Sequence, residues 1–171
     1  MRAGNVIGGG DWAKDRIIPD MIKSIESKKN FYLRNPNSTR PWQHVLEPIR
    51  AYLVTAAKMK LSKKRYIGDS FNVGPNSTKV ITVKQLIKKF TFTKDLKLVL
   101  NKNYNIKEAK LLALDVKKIN KVFDIKPSLS IDETSNYISE WYEEYFKDKK
   151  KVFMTTIKQI KKYSRLNNLN I

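Results

Sequence analysis

Apolar positions recur along this chain in two rhythms, and each rhythm predicts an element. Short apolar runs that end in Gly, Pro, Asn or Ser read as buried strands. Four stand out: residues 2–7 before Gly8-Gly9-Gly10, 31–34 before Asn35-Pro36-Asn37-Ser38, 70–74 before Pro75-Asn76, and 96–100. Elsewhere apolar residues fall three and four apart, the spacing of one helix face. Ile17, Ile18, Met21, Ile22 and Ile25 predict a helix over 15–28. Ile49, Leu53, Ala56 and Ala57 predict another over 46–60, with those four side chains turned inward. Pro48 falls near its first turn, where a missing N–H costs little. Thr82 is a predicted N-cap for a helix over 83–90, and Asp115 for one over 116–123. Ser130 or Asp132 opens the longest helix, to about Lys147, with Ile131, Tyr137, Ile138, Trp141, Tyr142 and Tyr145 on its core face. Residues 101–114 read as a polar loop feeding a short extended segment, and a last helix covers 155–164.

Strands alternating with helices predict an α/β architecture. The run 2–7 reads as an interior strand with a ligand loop at its carboxyl end. Such a strand needs neighbours on both sides, so the chain reads as the second part of a larger fold. Its 171 residues are enough to bury a core, and 41% apolar with 11% aromatic content argues for a folded globule. The absence of cysteine excludes disulfides, thiolate metal sites and a cysteine nucleophile. No apolar run is long enough to span a bilayer and no signal-peptide pattern opens the chain, so the expected setting is the cytoplasm.

Charge alters this picture only slightly. Thirty-five Lys and Arg against sixteen Asp and Glu leave a net charge of +19. A polyanion partner is one reading. The excess is mostly Lys, is spread from Lys14 to Lys162 and accompanies abundant Asn and Ile, which is the mark of general compositional drift. No zinc-finger spacing, helix-turn-helix pattern or RNA-binding aromatic signature accompanies it. What survives is a positive potential that favours a phosphate-bearing small ligand.

Candidate chemistry gathers in a few places. Gly8-Gly9-Gly10 is neither a dinucleotide fingerprint nor a P-loop, so on its own it reads as a tight turn. Its company is more telling: Asn5 before it and Arg16 after it suit a pyrophosphate or sugar hydroxyls. Arg40 in Thr39-Arg40-Pro41-Trp42-Gln43-His44 is pushed extended by Pro41 and flanked by an aromatic. A phosphorylated or planar ligand and a surface arginine beside a core tryptophan explain that segment equally well. His44, the single histidine, reads as structural. Asn72 sits at a strand end, where α/β folds present ligand contacts and where turns also place Asn. Tyr145 and Lys149 match Tyr-x-x-x-Lys, yet they fall at the end of an aromatic-rich helix and are rejected as a catalytic pair.

Residues 2–20 (RAGNVIGGGDWAKDRIIPD) and 34–48 (RNPNSTRPWQHVLEP) together resemble the CDP-glucose 4,6-dehydratases. These are nucleotide-sugar enzymes of the extended short-chain dehydrogenase/reductase group. Phe-Asn-Val-Gly-Pro at 71–75, Glu108-Ala109, Leu114-Asp115, Trp141-Tyr142, and Thr156 with Gln159 and Ile160 follow in the family's order. The resemblance implies an α/β fold comprising the C-terminal part of an extended short-chain dehydrogenase: the last strands of a Rossmann-type sheet plus the smaller substrate-binding α/β domain. It implies that residues 1–171 form one incomplete nucleotide-sugar-binding unit, with the NAD-binding portion, its Gly-rich loop, the acid/base pair and Tyr-x-x-x-Lys absent. The family is an NAD-dependent lyase that converts CDP-glucose to CDP-4-keto-6-deoxyglucose for surface-polysaccharide deoxysugars. Carried over, Asn5, Arg16, Arg40, Trp42, Gln43, Asn72, Glu108 and Lys110 are substrate-binding positions. Backbone at Ala3 and Gly4 passes near the nicotinamide, and no residue is catalytic or metal-binding. Lys110 departs from the family's usual histidine, and the Pro-His expected before Glu108 is missing. The partners implied are CDP-glucose and either a separate N-terminal half or a second copy, with no nucleic acid and no membrane. Alone, the chain is expected to be inactive; the rival expectation is a non-catalytic module that complements a separate N-terminal half.

Overall fold

A computed structural model of the chain describes residues 1–62, 66, 68–75, 80–94, 96–100 and 111–169. The run expected as one strand over 2–7 is two: β1 (Arg2–Ala3) and β2 (Asn5–Ile7). Gly4 lies between them, where a Cβ would stand 2.6 Å from the Pro41 carbonyl oxygen. The break also changes partners. β5 (Trp42–His44) runs parallel to β2, and β6 (Asn72–Val73) runs parallel to β1. Two further pairs flank them: β3 (Phe31–Leu33) parallel to β8 (Leu98–Leu100), and β4 (Thr39–Arg40) antiparallel to β7 (Ile81–Thr82). Among the described residues every ladder is two strands wide.

The helices are α1 (Ile17–Glu26), α2 (Leu46–Leu61), α3 (Val83–Ile87), α4 (Lys117–Phe123), α5 (Ile131–Lys147) and α6 (Val152–Leu166). Two of the sequence-read caps form complete capping boxes. Thr82 accepts from the Gln85 amide while Gln85 accepts from the Thr82 amide, and Ser130 and Glu133 do the same for α5. None of the helices among the described residues is long and apolar enough to cross a membrane.

The larger core joins α1, α3, α5 and the strands β2, β3 and β5, with Met21, Ile22, Leu86, Ile138 and Tyr142 at its centre. A smaller core lies where α2 and α4 meet β6, around Ala51, Phe71 and Phe123. α2 corrects one expectation. Ile49 and Leu53 are 46% and 68% exposed, Ala56 and Ala57 are exposed too, and the face turned inward is Glu47, Pro48, Ala51 and Thr55. The Glu47 carboxylate accepts from the Ser128 and Leu129 amides at 2.8 and 2.7 Å, and the adjacent Arg50 donates to the Tyr163 hydroxyl at 3.0 Å. Charge-assisted bonds to buried amides, not apolar spacing, therefore set the rotation of this helix.

α5 lies across the turn that follows β2. A Cβ on Gly9 would stand 2.2 Å from Trp141 Cγ, and Gly10 has φ +78°. The indole thus explains Gly9, the left-handed turn explains Gly10, and Gly8 is held small by Val45, 2.9 Å from where a Cβ would stand. Gly9→Ala should destabilise the protein by about 1–3 kcal/mol, because the backbone must leave Trp141 or the ring must leave its rotamer. Urea unfolding checks this, and wild-type stability in the variant would show the turn to be free to move.

Candidate functional site

β2 delivers the chain to its carboxyl end, the glycine turn swings it beneath Trp141, and α1 then begins. Arg16 is the N-cap of α1 in extended conformation and makes no side-chain cap hydrogen bond. Arg16 and the first turn of α1 line the same space. That space is a cleft of about 380 Å³, within the size range of small-ligand pockets. Asn5 enters from β2, Arg40 from β4 and Trp42 from β5. A shallower depression of about 280 Å³ continues beneath Gly8, Gly9 and Val45, and Arg16 lines both.

Four sequence-predicted positions, Asn5, Arg16, Arg40 and Trp42, thus line one cleft. Arg40 donates to the Thr39 carbonyl at 2.8 Å. Trp42 is buried, and its indole N–H has no hydrogen-bond partner among the described residues. A buried donor without a partner in the wall of a cleft is costly unless something supplies an acceptor.

Other predicted positions lie elsewhere. Gln43 is buried and spends its amide on the Val73 carbonyl at 3.0 Å, and Asn72 donates to the Asp115 carbonyl at 3.0 Å. Neither lines the cleft. Ala3 and Gly4 join the β1–β6 ladder, and the approach of Pro41 closes one side of Gly4. Glu108 and Lys110 fall outside the described residues.

Sequence reasoning missed two residues. Arg34, just after β3, lines the cleft and pairs with Asp15 at 2.8 Å. Arg34 opens the second family-like block, which was the available signal; the meeting with Asp15, nineteen positions away, is set by the fold. Asp20 lines the cleft as well. Burial is the main cause raising its pKa, with Asp15 adding to the rise and Lys23 and Arg34 opposing it.

His44 is buried against Tyr137, with ring centroids 5.3 Å apart, and its Nδ1 accepts from the Leu46 amide at 3.3 Å. Among the described residues no group of three His, Cys, Asp or Glu could hold a metal. Tyr145 donates to Glu26 at 3.1 Å and Lys149 lies 4.6 Å over its ring; neither lines the cleft.

No family model matches the chain. A CDP-glucose 4,6-dehydratase of Salmonella typhimurium is 38% identical over 149 residues, which is 86% of this chain and 41% of that protein. The chain is thus similar to part of a nucleotide-sugar dehydratase. The chain spans less than half the length of these relatives. The UDP-glucuronic acid 4-epimerase of Bacillus cereus, solved with UDP-glucuronic acid and NAD, superposes with a TM-score of 0.69 at 18% identity, over 84% of this chain and 44% of that one. The dTDP-glucose 4,6-dehydratase of Bacillus anthracis, solved with NAD, gives 0.63 at 20% identity, over 88% and 46%. At such identities the likeness is one of fold, the α/β fold of the matching part of those enzymes.

Burial lowers the His44 pKa from 6.5 to about 4. The unfolded chain binds a proton below about pH 6.5 that the folded chain refuses, so stability is full above that value and falls as pH drops towards 4. The loss should be on the order of 3 kcal/mol. Urea midpoints across pH 4–7 check this, and His44→Gln should flatten that part of the profile.

Proposed function

We propose that this chain supplies the nucleotide-sugar-binding portion of an NAD-dependent CDP-glucose 4,6-dehydratase. The observation that carries the reading is that Arg16 and Arg40 share one cleft with Asn5 and Trp42. Two guanidiniums suit a diphosphate, and an amide suits its oxygens or a sugar hydroxyl. The 38% identity to the Salmonella dehydratase supports CDP-glucose over other nucleotide sugars.

Trp141 fills the side-chain space at Gly9 and the Pro41 carbonyl oxygen that at Gly4, so both glycines serve packing within the chain. In this reading NAD would be held by the rest of such an enzyme and would supply the hydride acceptor there. The residues of this chain bind and orient. Arg16 and Arg40 neutralise the diphosphate, Asn5 fixes the adjoining oxygens, and Trp42 walls the cleft.

A second reading rests on another surface. The outward face of α2, with Ile49, Leu53 and Leu61 exposed, and the two-stranded parallel ladders favour a unit that works docked against a separate dinucleotide-binding half. A second copy of the chain is the rival occupant.

CDP should bind the purified chain with an affinity that weakens as salt rises. Arg16→Gln and Arg40→Gln should each weaken it about 10–100-fold by calorimetry. Unchanged affinity in both variants would sink the reading. With CDP-glucose and NAD, the chain alone should form no 4-keto sugar, and its detection would overturn the binding-only role. Co-expression with the dinucleotide-binding portion of the Salmonella dehydratase should yield a complex that turns over. Leu53→Glu should break that complex while leaving CDP affinity unchanged. Absence of any complex on size exclusion would count against the second reading, and self-association lost in Leu53→Glu would identify the second copy instead.

A further inference from the structure

Two charged residues across the cleft mouth have no part in the reading above. Arg34 Nη2 lies 2.8 Å from Asp15 Oδ1, and both residues line the cleft. Their side chains are 45% and 74% exposed, so water screens the pair and makes it easy to exchange for a stronger partner. Asp15 has φ +60°, a left-handed conformation uncommon outside glycine. It comes directly before the N-cap of α1, so this backbone turn sets the carboxylate beside the helix end where Arg16 also stands.

The cleft as a whole balances charge. Asp11, Asp15 and Asp20 line it along with Arg16, Arg34 and Arg40. A diphosphate entering this space is drawn to the guanidiniums and must compete with Asp15 for Arg34. Resting on the diphosphate reading of the cleft, we propose that Asp15 and Arg34 form an exchangeable latch. Asp15 holds Arg34 while the cleft is empty, and Arg34 passes to the ligand's phosphates as a third cationic contact. The exchange makes the site select for phosphate charge. A neutral sugar or nucleoside gives Arg34 no reason to leave Asp15, whereas a diphosphate offers more negative charge and more acceptor oxygens than one carboxylate.

The test is a calorimetric double-mutant cycle on the full chain, with CDP as probe and cytidine as the uncharged control. Asp15→Asn removes the competing charge, and Asn tolerates the left-handed conformation, so the turn is kept. CDP should bind this variant about tenfold more tightly and Arg34→Gln about tenfold more weakly than wild type. The double variant should match Arg34→Gln, because Asp15 acts only through Arg34. Cytidine binding should not respond to either substitution. Additive effects, or CDP affinities equal to wild type in both single variants, would overturn the latch. If Arg16→Gln still weakens CDP binding in that case, the diphosphate reading stands without the latch. If wild type shows no CDP binding at all, both fall. Matching thermal midpoints across the set show that lost affinity is not lost folding.

Discussion

The packing of Trp141 onto the glycine turn is the contact on which the rest of the site depends. The turn must pass beneath an indole with no room for a side chain at Gly9. The indole is held in turn by a hydrogen bond from its N–H to the Thr156 hydroxyl on α6 at 2.9 Å. The neighbouring Tyr142 donates to the Asp11 carbonyl at 3.1 Å, just past the turn. One face of α5 therefore clamps the link between β2 and α1. That clamp sets the start of α1, and with it Arg16, at the carboxyl end of the β2–β5 pair. Loosening it would separate Arg16 from Asn5 and Trp42 without touching any of them.

Much of the architecture was legible because local signals were strong. Thr82, and Ser130 or Asp132, were readable as helix starts, and the structure completes Thr82 and Ser130 as capping boxes. The face of α2 was not legible. Its apolar residues are spaced for burial, yet Glu47 turns the other face inward to reach the amides of Ser128 and Leu129, eighty positions away. No periodicity records a long-range hydrogen bond. The close approach of Pro41 to Gly4 was hidden for a similar reason, since Pro41 lies in a different segment.

The site divides the same way. Asn5, Arg16, Arg40 and Trp42 could be nominated from residue type and local company, and they line one cleft. Gln43 and Asn72 carry the same amide chemistry, but backbone carbonyls take up their donors. Residue type says what a side chain can bind, while only the fold says what it already binds. Arg34 shows the converse, a cleft residue whose partner Asp15 becomes visible only once β3 and the start of α1 are side by side. Net charge contributed least, because an excess of lysine spread along the chain does not mark a place.

The proposed role turns on where a diphosphate sits. A crystal structure of this chain grown with CDP-glucose is the most direct measurement. The account predicts both phosphates in the cleft between α1 and β4, within hydrogen-bonding distance of the Arg16 and Arg40 guanidiniums. Phosphates bound instead beside Gln43 and Asn72, or on the lysine-rich surface with the cleft empty, would contradict it.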